Sequence, residues 1–191
     1  MATTSSRTSK TKRQENWTYQ DYLQLDDGKR YEIINGKLID MGPPPSVQHN
    51  IFSGNLSFAF RSYLKQHAAG RLFEAPVDIK LDDKNVVQPD LVVVLNDNQK
   101  IIEELAIEGT PDLTVEIISP SSIINDRNKK SEPYKTFGVK EYWIVDPAYP
   151  SVEVYQLKDG HYEVYSFAAT EGQVESALLE ALRVNVEDLA A

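Results

Sequence analysis

Val86-Val87-Gln88-Pro89-Asp90-Leu91-Val92-Val93-Val94 and, after a polar interlude, Pro111-Asp112-Leu113-Thr114-Val115-Glu116-Ile117-Ile118-Ser119-Pro120-Ser121-Ser122 form two apolar runs at the centre of the chain. Each reads as a strand too apolar to be half-wet, so both belong in the middle of a sheet. Each also carries an acid: Asp90 opens the first and Glu116 sits inside the second. A charge in a buried strand costs free energy unless it is paired or bound to a cation. Residues two apart on a strand share a face, so Glu116 points with Ile118, away from Val115 and Ile117. Asp90 shares a face with Gln88 if the strand continues through Pro89. That proline cannot donate a ladder bond and marks the strand entrance. Two carboxylates on neighbouring strands would supply hard oxygen ligands suited to Mg²⁺. A bound divalent ion can lower the pKa of a water and stabilise charge growing on a phosphate. A lysine nearby would help with that charge. Position 118, where a strand lysine would be convenient, is isoleucine, which leaves Lys129 and Lys130 just downstream.

Working outward, Trp17 to Leu23 reads as a short helix capped by Thr18, with Asp21 at the capping-box position. Asn35-Gly36 between Tyr31–Ile34 and Lys37–Asp40 is a hairpin signal, because both turn positions need positive φ. His49 to His67 turns helical, with Phe52, Leu56, Phe60, Tyr63 and Leu64 at helical spacing and Gly70 ending it. Arg71 to Leu81 alternates in part, with Phe73, Ala75, Val77 and Ile79 expected on one face. Asn96 to Gly109 reads as a short helix or surface loop. Asn125 to Phe137 reads as helix, kinked by Pro133 or regular only from near Ser131. Glu141 to Asp146 is a third core strand. Val152–Leu157 and His161–Phe167 form a meander at the sheet edge, Gln173–Leu178 one more strand, and Val186–Leu189 a last helical turn. The pattern is one α/β domain, residues 15–191, on a mixed central sheet with flanking helices and edge hairpins.

The chain has 191 residues, enough for one domain with a substantial core, and it is 41% apolar and 26% charged. It has no cysteine, which excludes a disulfide-linked partner and a thiolate metal site. No apolar run approaches a membrane span and no apolar signal core opens the chain, so a cytoplasmic protein is expected. The net charge is −9. That argues against a protein that coats nucleic acid, but metal-site carboxylates leave a nuclease open. Residues 1–14 hold Arg7, Lys10, Lys12 and Arg13 and no acid, leaving 16 basic against 29 acidic side chains elsewhere. This Ser/Thr/Lys segment is expected to be a disordered tail.

Several segments carry a family resemblance: Tyr31-Glu32-Ile33-Ile34-Asn35-Gly36, the proline-serine segment with His49, Pro89-Asp90-Leu91, and Pro111 through Ser122. Downstream come Asp126, Lys130 and Tyr134, then Gly138 to Pro147. In order and spacing they resemble the bacterial family of "putative restriction endonucleases", abundant in cyanobacteria, of the PD-(D/E)xK nuclease superfamily. The resemblance runs over about residues 17–190. It implies a restriction-endonuclease-like fold and a metal-dependent endonuclease cutting DNA. It further implies that Asp90 and Glu116 are the acids of the two half-motifs and that Glu32 is the acid supplied from an earlier element. The Ile117 carbonyl would face the ion, and Lys130 would replace the lysine absent at position 118. One or two Mg²⁺ or Mn²⁺ ions would bind there, and a homodimer is expected by analogy with superfamily members that cut two strands.

Each residue also has a plainer role open to it. Asp90 could satisfy local backbone donors, and Glu32 or Lys130 could lie on the surface. His49 could cap or pack instead of touching phosphate or a ligand carboxylate, and Gln88 could be structural instead of ordering a water. Asp126 could pair with Lys130 at i,i+4, and Tyr134 could simply be core. A nuclease scaffold with weak or no turnover that binds nucleic acid or serves structure is the alternative to an enzyme, and a small-molecule phosphoesterase is a third class. No G-x-S-x-G elbow or phosphate-binding glycine loop is present, and the three histidines are too scattered for a zinc site.

Overall fold

A computed structural model describes residues 16–118 and 130–191. The expectations for residues 1–14, for the Ser119–Ser122 strand break, for Lys129 and for Asp126 lie outside the described residues.

Helix α1 (Tyr19–Tyr22) starts with the capping box read from Thr18 and Asp21, both of whose hydrogen bonds form. Strands β1 (Tyr31–Ile34) and β2 (Lys37–Asp40) pair antiparallel around Asn35 (φ 52°) and Gly36 (φ 74°), the left-handed pair that the Asn-Gly turn requires. Helix α2 (Val47–His67) is capped by the Ser46 hydroxyl and buries Phe52, Leu56, Phe60 and Leu64 at four-residue intervals. It ends at Ala68 in the left-handed conformation, two residues before the glycine expected to stop it.

The segment Arg71–Leu81 is two strands, not one. Strand β3 (Gly70–Glu74) joins one sheet and β4 (Ile79–Asp82) another. The alternation over Phe73–Ile79 therefore never formed a single face. Strand β5 (Asn85–Val87) returns along β4, β6 (Leu91–Leu95) follows, and a 3-10 turn at Asn96–Ile101 leads to β7 (Ile107–Glu108) and β8 (Leu113–Ile117). Helix α3 (Ser131–Phe137) starts at the later of the two expected points. Pro133 then falls in the first turn, where its missing N–H is not needed by the helix. Strands β9 (Glu141–Asp146), β10 (Ser151–Lys158) and β11 (His161–Ala169) form the expected meander. The expected strand Gln173–Leu178 is shorter, β12 (Gln173–Glu175), and pairs with β13 (Arg183–Asn185) before a closing 3-10 turn at Glu187–Ala190.

Among the described residues the strands form a five-stranded sheet in the order β2-β1-β5-β4-β7 and a six-stranded sheet in the order β11-β10-β9-β8-β6-β3. The second is mixed: β8 runs parallel to β9 and antiparallel to β6. The chain crosses from one sheet to the other at Gln88-Pro89-Asp90, so Pro89 sits at a change of sheet, where no ladder bond is asked of it. The two faces of the six-stranded sheet bury different cores. Leu91, Val93, Leu113, Val115, Trp143 and Val145 pack with α2 and the C-terminal segment on one side. Val92, Val94, Ile118, Tyr142 and Ile144 pack with Ile79, Leu81 and Val87 of the other sheet and with Tyr134 on the other.

Glu141 is a buried acid in the α2-side core. Its carboxylate accepts from the Trp143 indole (2.6 Å), the Ser176 hydroxyl (2.7 Å) and the Leu178 amide (2.7 Å), so it ties β9 to the C-terminal segment. Burial raises its pKa, against the lowering effect of those donors. With the folded-state value above the unfolded one, the group's contribution to stability is fully present below its unfolded pKa and is lost as pH rises through the folded value. Glu141→Ala is expected to lower unfolding free energy by about 2–4 kcal/mol, because buried donors are left unpaired. In urea melts across pH, the advantage of wild type over Glu141→Gln should be greatest near pH 4 and shrink as pH rises.

Candidate active site

Strands β6 and β8 bring the two acids of the central runs together. Their register pairs Leu91 with Val115. One step outward, Asp90 lies across from Glu116, and Glu116 points to the side away from Val115, Ile117 and α2. Asp90 Oδ2 accepts from the Ile117 amide at 2.7 Å, which pins the aspartate across the strand pair. Its other oxygen, Oδ1, meets His49 Nε2 at 3.1 Å, contributed by the first turn of α2. His49 thus touches a carboxylate of the site and is not merely a cap residue.

Glu116 is 4% exposed, and its two oxygens face different donors. Lys130 Nζ donates to Oε2 at 2.9 Å and the Tyr134 hydroxyl to Oε1 at 2.6 Å. Helix α3 supplies Tyr134, and Lys130 stands at its N-terminal boundary. The Lys130 ammonium also lies 3.0 Å from Glu32 Oε1. Glu32 is itself buried, and the same Oε1 accepts from the Gln88 amide at 2.8 Å. Neither Glu32 nor Lys130 is the surface residue that each could have been.

One ammonium therefore faces two buried carboxylates, with Asp90 close by. Burial pushes the Glu116 carboxyl up, and the negative charges of Glu32 and Asp90 push it further, while Lys130 pulls it back. Tyr134 is raised well above its ordinary value by burial and by the charge on Glu116, so its hydroxyl stays a donor. Tyr134→Phe should remove one buried hydrogen bond, costing about 1–2 kcal/mol in a denaturant melt.

Of the expected site residues, Glu116, Lys130, Tyr134, Glu32 and Gln88 are joined by hydrogen bonds or ion pairs into one set, and Asp90, Ile117 and His49 form a second that adjoins it because Glu116 and Ile117 are neighbours on β8. Asp126 lies outside the described residues. Glu32 enters the first set through Lys130 and Gln88. Among the described residues no three His, Asp or Glu side chains gather into a metal site by themselves. The donor set nonetheless suits a hard divalent cation: among the described residues Asp90 and Glu116 offer carboxylate oxygens across one strand pair, and Mg²⁺ needs only one or two carboxylates with the rest of its shell water.

Sequence reasoning passed over Asp78. Its carboxylate accepts from Gln88 Nε2 at 2.7 Å and from the Tyr19 hydroxyl at 3.2 Å, and Gln88 Nε2 also reaches the Tyr22 hydroxyl at 3.3 Å. Burial raises the Asp78 pKa. The network braces the Gln88 backbone whose amide holds Glu32. No local motif announces it, because its members come from α1, the segment before β4 and the sheet crossing.

The sequence profile of the Uma2 family, described as "Putative restriction endonuclease", matches residues 19–187. The chain belongs to the Uma2 family. The fold is also that of a crystal structure from Anabaena variabilis ATCC 29413, titled a putative nuclease belonging to DUF820. That structure is similar at 24% identity with a TM-score of 0.72, over 90% of this chain and 96% of that one. A search of curated proteins returns no match. The Uma2 match and this neighbour bear out the restriction-endonuclease-like fold. Among the described residues no helix is long and apolar enough to cross a membrane.

Proposed function

We propose that this Uma2 protein is a metal-dependent endonuclease that hydrolyses DNA phosphodiester bonds. The observation that carries this reading is the Lys130 ammonium held between Glu32 and Glu116, beside Asp90, on the edge of two adjacent strands. Asp90, Glu116 and the Ile117 carbonyl would hold Mg²⁺ or Mn²⁺, with Glu32 completing the acidic set. The ion would supply Lewis-acid polarisation of the phosphate and a water of lowered pKa.

The chain's own residues account for the remainder. The Ile117 amide and His49 fix the two oxygens of Asp90, so the carboxylate is oriented before substrate arrives. Tyr134 and Lys130 do the same for Glu116. Lys130 is also the fixed positive charge available to the extra negative charge of a pentavalent phosphate, and in a desolvated position it acts without reorganisation. Glu32, braced through Gln88 and Asp78, holds the amine there.

Cleavage of a panel of duplex and single-stranded DNA and RNA, with Mg²⁺ or Mn²⁺, run beside Asp90→Ala and beside excess chelator, tests the reading. DNA fragments that vanish in the variant and on chelation are expected. No cleavage of any member by folded wild type would favour a nuclease scaffold without turnover, and cleavage only of small phosphodiesters would make it a phosphoesterase. A homodimer in the cytoplasm belongs to the same proposal.

A further inference from the structure

We propose that Lys130 is a built-in competitor for the metal: its ammonium holds Glu116 Oε2 and gives that oxygen up, while staying on Glu32, when Glu116 ligates a divalent cation. The inference rests on the metal-dependent reading above and adds a control on how readily the site loads. Lys130 Nζ lies 2.9 Å from Glu116 Oε2 and 3.0 Å from Glu32 Oε1, with all three side chains 8% exposed or less. The other oxygen of Glu116, Oε1, accepts from the Tyr134 hydroxyl at 2.6 Å. The oxygen left for a cation shared with Asp90 is therefore the one that carries the ammonium. An ammonium and a divalent cation on one oxygen would stand almost in contact. Like charges that close repel strongly where water is largely excluded, so exchange is favoured over sharing.

The two anchors of the amine are unequal, and this decides where it goes. Glu32 Oε1 also accepts from the Gln88 backbone amide at 2.8 Å, and Gln88 Nε2 is fixed on Asp78 at 2.7 Å. Glu32 stands on β1 of the five-stranded sheet and Glu116 on β8 of the six-stranded one. Lys130, at the N-terminal boundary of α3, joins the two. Breaking a buried pair is costly when one partner is left uncompensated. Here neither partner is stranded: Lys130 keeps Glu32 as its counter-charge, and Glu116 gains the cation. The consequence is a weaker apparent affinity. If the ammonium sits on Glu116 in roughly nine of ten molecules, the competent fraction lowers metal affinity about tenfold.

Calorimetric titration of the full chain with Mn²⁺, without nucleic acid, reads this apart from cleavage. Lys130→Met is expected to bind Mn²⁺ about tenfold more tightly than wild type, because the competitor is gone. Lys135→Met removes an equal charge from the same helix, one paired with the exposed Glu132 at 2.6 Å. It should leave the affinity within about twofold, since exposed pairs contribute little. A crystal structure of wild type with Mn²⁺ supplies a readout that needs no substitution. The ammonium should stand beyond about 4 Å from Glu116 Oε2, outside ion-pair reach, and still on Glu32. Equal or weaker binding by Lys130→Met, an equal gain in Lys135→Met, or an ammonium still on Glu116 beside the bound ion would overturn this inference and leave the metal-dependent reading standing. No Mn²⁺ binding by wild type or by Lys130→Met would overturn both.

Discussion

Lys130→Met is expected to lower unfolding free energy by about 3–5 kcal/mol, the usual cost of removing one partner from a buried ion pair. Lys130 is 7% exposed, and its ammonium lies 3.0 Å from Glu32 and 2.9 Å from Glu116. Methionine keeps the stem but leaves two carboxylates facing each other with no cation in a position largely shut off from water. Denaturant titration of the variant measures the loss. Adding Glu32→Gln removes one of the two stranded charges, so the double variant should recover part of the lost stability. Cleavage should stay absent in both. A Lys130→Met protein as stable as wild type would show that the ammonium is not held between the two acids, and the proposed helper would go with it.

The strands that carry the acids were legible because their chemistry is local. Asp90 and Glu116 stood out as charges in runs of valine, leucine and isoleucine, and a period of two assigned their faces. Asn35-Gly36 announced its hairpin through a requirement on φ that few residues meet. Pro133 was consistent with a helix once its start at Ser131 placed the ring in the first turn. What failed was whatever depended on partners distant in sequence. The alternation from Phe73 to Ile79 looked like one strand because period says nothing about which sheet a strand joins. Glu32 could not be told from a surface glutamate, since its burial comes from Gln88 and Lys130. Asp78 was invisible for the same reason. Glu141 looked like the start of a core strand, and nothing nearby revealed that Ser176 and Leu178 would return to meet it. Tyr134 is fully buried, as a core residue would be, and its hydroxyl also serves Glu116, so both roles open to it in the sequence hold.

The acidic balance of the constellation gives the second large effect an unusual shape. Glu116→Gln is expected to leave stability within about 1 kcal/mol of wild type, because it removes a buried charge instead of stranding one. Lys130 would remain paired with Glu32, one cation to one anion. The amide can still accept from Lys130 through its oxygen while donating to the Tyr134 hydroxyl, which is able to accept as well as donate. Metal affinity and cleavage should fall together, by at least about a hundredfold, since a lost ligand costs more than the ten- to hundredfold typical of the residues behind it. Calorimetric titration with Mn²⁺ and gel-based cleavage read the two quantities separately. Loss of cleavage with metal affinity intact would assign Glu116 to holding Lys130 and Tyr134 in place, and would move the ion to Asp90 with other donors. Retained cleavage would remove Glu116 from the chemistry altogether, because among the described residues it is the acid that lies across the strand pair from Asp90.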